Sequence, residues 1–121
     1  MKISIDLDGC LWHHQAFFRD LMRGMQAAGH QVGILTSHKT IHMMADLALL
    51  EKRGFPQPDF YYDRVNGVTD YAAFKVNIIL SLDIDLHFED YLAEQMRALL
   101  LKDAYRVVSM VPRGTEEQHF E

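Results

Sequence analysis

Ile3-Ser4-Ile5-Asp6-Leu7-Asp8-Gly9 is the stretch on which the reading of this 121-residue chain turns. From Lys2 to Leu7, apolar Ile3, Ile5 and Leu7 alternate with Ser4 and Asp6, and Gly9 follows, so the segment reads as a short strand ending in a turn. Asp6 is out of character in such a strand, and an acid placed there needs a positive partner to offset its desolvation. Residues two apart in an extended chain point the same way, so Asp6 and Asp8 can face one site. Two carboxylates on one site repel unless a cation lies between them. A hard divalent ion such as Mg²⁺ suits oxygen ligands, and Glu89 or Asp90 could complete the set. Gly9 lets the chain turn sharply away.

Outward from that strand the pattern alternates. Phe17, Leu21, Met25 and Ala28, widened by Phe18 and Met22, predict an amphipathic helix over His14–Ala28, stopped by Gly29. Gln31–Thr36 reads as a second strand. A second helix is expected from about Thr40 to Arg53, with Met44, Leu47 and Leu50 on one face, ended by Gly54 and the Pro56-Gln57-Pro58 turn. Asp59–Asp63 is short and aromatic and fits a third strand, and Asn66-Gly67 signals a turn. Thr69-Asp70 can cap a third helix carrying Phe74, Ile78 and Leu82. Leu86-His87-Phe88 is a fourth strand running into Glu89-Asp90. Leu92, Met96, Leu99 and Leu100 mark a fourth helix, and Tyr105–Val111 a fifth strand closed by Pro112. Strict alternation of strand and helix predicts an α/β fold, a Rossmann-like three-layer α/β/α arrangement on a five-stranded parallel sheet. One domain over residues 1–112 is expected, with a polar tail over 113–121.

Composition agrees with a folded domain: 49% of residues are apolar and 24% charged. Twelve Lys and Arg against 17 Asp and Glu leave a net charge of −5, which argues against whole-surface binding to nucleic acid. The single cysteine, Cys10, can form no internal disulfide and no zinc site built on two or more cysteines. No apolar run is long enough to span a membrane, and Met1-Lys2-Ile3-Ser4-Ile5-Asp6 reaches a charge too soon to read as a signal peptide. A reducing cytoplasm is the expected home.

Ligands of parallel sheets sit at the carboxyl ends of the strands. Those ends carry Asp6-Leu7-Asp8-Gly9, Thr36-Ser37-His38-Lys39, Asp63-Arg64 and Glu89-Asp90, with Lys75 on the helix leading to the fourth strand. Here the chain resembles the haloacid dehalogenase (HAD) superfamily. Ile3–Gly9 is similar to its first motif, a hydrophobic strand followed by Asp-x-Asp-Gly. Ile34-Leu35-Thr36-Ser37 resembles the second motif, Lys75 is placed like the third-motif lysine, and Leu86–Asp90 resembles the fourth, a strand ending in paired acids. Cys10 departs from the usual Thr or Val.

The resemblance implies roles. Asp6 would be the nucleophile and Asp8 the general acid and then base. Thr36, with Ser37 and Gly9, would bind the phosphoryl group, and Lys75 would neutralise charge. Mg²⁺ would be held by Asp6, the backbone carbonyl of Asp8, and Asp90 or Glu89, with Asp90 slightly favoured. Most phosphatases of the family insert a cap domain, but the segments from Asp8 to Thr36 and from Thr36 to Lys75 are filled by predicted core elements. A HAD-like core without a cap is expected, its site open to a bulky phosphorylated substrate, such as a nucleotide or a phosphorylated nucleic-acid end. A small substrate would suit an oligomer partner that supplies the lid. Trp12-His13-His14 is the local candidate for a flap, although such a Trp more often packs over the first helix. His38, Lys39, Arg64 and Arg113 could form a local anion-attracting patch. The rival readings are a binding or regulatory module with little turnover, a phosphotransferase, and a receiver domain. The last would place its phosphoacceptor at Asp63, but no Thr and Lys follow at the fourth and fifth strand ends.

Overall fold

In the computed structural model, which describes residues 1–65, 69–103 and 106–110, the strand at the start of the chain becomes the centre of the sheet. β1 (Lys2–Ile5) pairs in parallel with β2 (Gln31–Lys39) on one side and with β4 (Leu86–Glu89) on the other. β3 (Tyr61–Arg64) and β5 (Val107–Ser109) close the two edges, giving the order β3-β2-β1-β4-β5, with every pairing parallel. This is an α/β, Rossmann-like architecture. The expected turn at Asn66-Gly67, the fifth strand's outer residues Tyr105 and Val111, Pro112, Arg113 and the 113–121 tail lie outside the described residues.

The order explains the layers. From β1 the chain steps outward to β2 and β3, then crosses back to lay β4 on the far side of β1. Right-handed crossovers taken in opposite directions put their helices on opposite faces. One face is covered by α1 (Gln15–Ala27) and α2 (Met43–Lys52), whose Phe18, Met22 and Leu50 share a core with Ile3, Ile5, Val32 and Ile34. On the other, α3 (Tyr71–Ser81) and α4 (Glu94–Lys102) bring Ala72, Ile79, Met96 and Leu99 together with Leu35, Ile84 and Val107. Because Ile3 and Ile5 take the first face, the alternating Ser4 and Asp6 fall on the second. No helix among the described residues is long and apolar enough to cross a membrane.

Several boundaries and faces differ from the sequence reading. β2 continues past Thr36 to Lys39, because Lys39 still pairs with Arg64 after an irregularity in the ladder beyond Leu35. Thr-Ser-His-Lys has no apolar alternation to reveal this. α2 starts at Met43, since Thr40–His42 forms a separate tight turn with the Thr40 hydroxyl donating to Asp63 Oδ1 at 3.0 Å. The buried stripe of α1 is centred on Phe18 and Met22, while Phe17 is half exposed. In α3 the inward face is Ala72, Lys75 and Ile79, and Phe74, Ile78 and Leu82 pack at its flanks. That helix is apolar nearly all round, so periodicity alone could not select its buried side. Met44 of α2, expected inside, is exposed.

Gly33 of β2 lies directly under Phe60: a Cβ there would overlap both its ring and its carbonyl oxygen. A backbone neighbour cannot swing aside. Gly33→Ala is therefore expected to destabilise the fold by about 1–3 kcal/mol, the ordinary cost of overpacking a filled site, read as a lowered urea midpoint.

Candidate functional site

The chain leaves β1 through a turn over Leu7–Leu11 that is nailed into the core. Asp6 N–H extends the ladder to Phe88 O at 3.0 Å, and the Asp6 and Leu7 carbonyls accept from Leu11 and Trp12 N–H at 3.1 Å. Leu7, Cys10, Leu11 and Trp12 are all buried, and the Trp12 ring meets Phe55 edge-on at 6.3 Å. Trp12 is thus a core residue rather than a flap, and neither it nor His13 and His14 lines the cavity at the strand ends. Burial also pushes the Cys10 thiol far up, away from the thiolate form. Within the turn Asp8 stays extended, and Gly9 takes φ +72°. A side chain at Gly9 would run into the Asp90 carboxylate. Gly9 therefore supplies clearance for Asp90, and it is not among the residues that line the cavity.

Lys75 reaches from the inward face of α3 to the sheet. Its ammonium donates to Asp6 Oδ1 at 2.8 Å and to Glu89 Oε1 at 2.7 Å, and all three side chains are buried. Burial works against the lysine charge, but the two carboxylates outweigh it and hold Lys75 above its ordinary pKa. Glu89 Oε1 also accepts from His87 Nε2 at 2.9 Å, while Ser4 Oγ contacts His87 Nδ1 at 2.7 Å. Burial drives His87 below its usual pKa, so it stays neutral, with its proton on Nε2 and the Ser4 hydroxyl donating to Nδ1. Despite its burial, these donors keep Glu89 well below the carboxylate range. Ser4 and His87 escaped the sequence reading. The signal was two polar residues alternating with apolar ones on neighbouring central strands.

Asp6 is left with too little positive charge. Burial, the Glu89 charge and a hydrogen bond with the Asp90 carboxyl raise it well above its usual pKa, against the pull of Lys75. Oxygen atoms of Asp6, Glu89 and Asp90 all lie within 4.8 Å of one another. Oxygen donors of this kind could hold a hard divalent cation. Lys75 takes one oxygen of both Asp6 and Glu89, but Glu89 also accepts from His87, so the oxygens of Asp6 and Asp90 are the first candidates to hold one.

Asp8 belongs to a second hydrogen-bonded system. Asp8 Oδ2 lies 2.6 Å from His38 Nε2, and His38 Nδ1 lies 2.7 Å from Asp46 Oδ2 on α2. That Asp46 oxygen also accepts from the Tyr61 hydroxyl at 2.6 Å. The hydrogen bonds to Asp46 and Asp8 raise the His38 pKa to about 10, so its charge is matched locally. Arg64 likewise is engaged: its Nε donates to Ser37 O at 3.0 Å, and its guanidinium stacks over Tyr71 at 4.4 Å. Of the expected anion-attracting patch, Arg113 lies outside the described residues. Asp46 and Tyr61 were missed by sequence because nothing local links them to Asp8.

These elements enclose a cavity of about 220 Å³ lined by Asp6, Asp8, Thr36, Ser37, His38, Lys75, Glu89 and Asp90, with Tyr71, Ala72, Tyr91 and Met96 around it. It sits at the carboxyl ends of β1, β2 and β4, where the direction in which the chain adds strands reverses between β1 and β4. Thr36 Oγ1 accepts from His38 N–H at 3.1 Å, fixing the strand end that carries both. Asp63 is not among the lining residues. No protein-family model, curated protein or solved structure matches the chain.

Lys75→Met should strand Asp6 and Glu89 together in a buried site. Loss of about 3–5 kcal/mol is expected in urea unfolding, the usual consequence of breaking a buried ion pair from one side. His38 provides a pH signature. A histidine raised from its ordinary 6.5 to about 10 adds stability that is complete below pH 6.5 and is lost as pH rises through about 10. In EDTA, the stability difference between wild type and His38→Ala should therefore shrink across that window, followed by thermal unfolding.

Proposed function

We propose that the chain is a divalent-metal-dependent phosphomonoester hydrolase of the HAD type, working through an aspartyl-phosphate on Asp6. The observation that carries this reading is the buried Asp6–Lys75–Glu89 cluster, with Asp90 beside it, at the sheet's reversal point and in one cavity with Asp8 and Thr36. A purely structural ion pair would not need a third carboxylate that raises the pKa of the first.

In this mechanism an Asp6 carboxylate oxygen attacks phosphorus. The phosphorus–oxygen bond to the leaving group breaks as the bond to Asp6 forms, and Asp8 gives its proton to the departing oxygen. Asp8 then takes a proton from water, whose oxygen attacks the same phosphorus and frees Asp6, releasing inorganic phosphate. Lys75 offsets negative charge on Asp6 and on the phosphoryl oxygens, and the Thr36 hydroxyl can donate to one of them. Asp6 and Asp90, with the Asp8 carbonyl, would hold Mg²⁺, which when bound supplies charge neutralisation for the carboxylates and the phosphate. The open rim favours a nucleotide or a phosphorylated nucleic-acid end. Tyr71 and Tyr91 are 47% and 69% exposed beside the cavity, where aromatic faces suit a planar base, and Arg64 over Tyr71 adds positive charge.

The test is turnover of 4-nitrophenyl phosphate and of a nucleotide panel, with Mg²⁺ and with EDTA, by wild type and Asp6→Asn. Turnover that needs both the ion and Asp6 is expected, with Asp6→Asn down by at least about 10³-fold, because an amide is a poor nucleophile. Undiminished activity in Asp6→Asn would sink the mechanism.

A further inference from the structure

Asp8 is the most exposed charged group of the site, its side chain 60% accessible, while its backbone is fixed by the turn beneath it. The freedom left to it is rotation of the side chain. An exposed aspartate samples several rotamers, and proton transfer requires one of them. His38 meets the carboxylate at 2.6 Å from the neighbouring strand end, and the His38 ring is itself held from behind by Asp46 at 2.7 Å. Tyr61 anchors Asp46 in turn at 2.6 Å. Accessibility falls along the chain, from 60% at the Asp8 side chain to 26% at His38 and 12% at Asp46, so the open end is steered from a fixed base.

We propose that His38, backed by Asp46 and Tyr61, is the positioning residue that aims the Asp8 carboxyl at the leaving-group oxygen. The proposal rests on the phosphatase reading above. It assigns His38 no contact with substrate: its partner is Asp8, and its effect should pass through Asp8 alone.

That dependence makes a specific test. The quantity kcat/KM reports only the steps up to leaving-group departure. It should be measured on a series of phosphate esters running from 4-nitrophenyl through phenyl to an alkyl leaving group. A good leaving group needs little protonation and an alkoxide needs it most, the acid being worth about 10²–10⁴-fold. His38→Ala is expected to lose no more than about 10-fold on the nitrophenyl ester and about 100-fold or more on the alkyl ester. Added to Asp8→Asn, it should cost nothing further, because the group it aims is already gone. Should His38→Ala not fold, Asp46→Leu removes the acceptor behind the ring at nearly constant volume and carries the same comparison. Equal losses across the series, or losses that add to those of Asp8→Asn, would mark His38 as merely structural and overturn the proposal while leaving the phosphatase reading intact. A wild type inert on every ester removes the phosphatase reading, and the proposal with it.

Discussion

A single ammonium group between two buried carboxylates is the interaction on which the rest of this structure depends. Asp6 and Glu89 end adjacent parallel strands and project onto the same face of the sheet, where α3 and α4 exclude water. Two such charges could not share that space alone. Lys75 answers both at 2.7–2.8 Å, and in doing so pins α3 to the centre of the sheet. Burying a charged triad is costly even when it is paired, and an apolar replacement of like volume is often as stable or more so.

Topology concentrates the chemistry. The order β3-β2-β1-β4-β5 sends the connections after β1 and after β4 to opposite edges, so the chain parts above these two strands and leaves a crevice. The turn after β1 is held open by its own core residues, Leu7, Cys10, Leu11 and Trp12, while Gly9 yields the space that Asp90 occupies. Polar groups on the crevice floor are satisfied from beneath by His87 and Ser4, which keep Glu89 charged without solvent.

The site then divides into two systems of different stiffness. One is buried, centred on Asp6, Lys75 and Glu89, and its geometry is dictated by sheet and helix packing. The other is the partly exposed line from Asp8 through His38 and Asp46 to Tyr61, held by hydrogen bonds rather than by packing. In the proposed mechanism Asp6 would be a fixed nucleophile and Asp8 a separately steered acid, a workable division for a two-step phosphoryl transfer. The nucleophile must be aligned to phosphorus, and the acid must both deliver and accept a proton.

Much of this was legible in the chain. Alternation at Ile3, Ile5 and Leu7 set the strand, its two faces and the outward path of Asp6 and Asp8. The β/α alternation that follows determined a parallel sheet, and with it the edge on which Thr36, Lys75, Glu89 and Asp90 would gather. Those are properties of local period and chain order, and a sequence carries them directly. What it could not carry was the choice among faces and partners. α3 is apolar nearly all round, so only docking against the sheet decided that Lys75 points inward and Phe74 does not. β2 runs on to Lys39 because Arg64 is there to pair with it, a contact 25 positions away in sequence. His38 looked like one cation among several, and became the partner of Asp8 only when α2 and β3 brought Asp46 and Tyr61 behind it. Period and order are written along the chain; pairings between distant side chains arise only when packing brings them within hydrogen-bond reach.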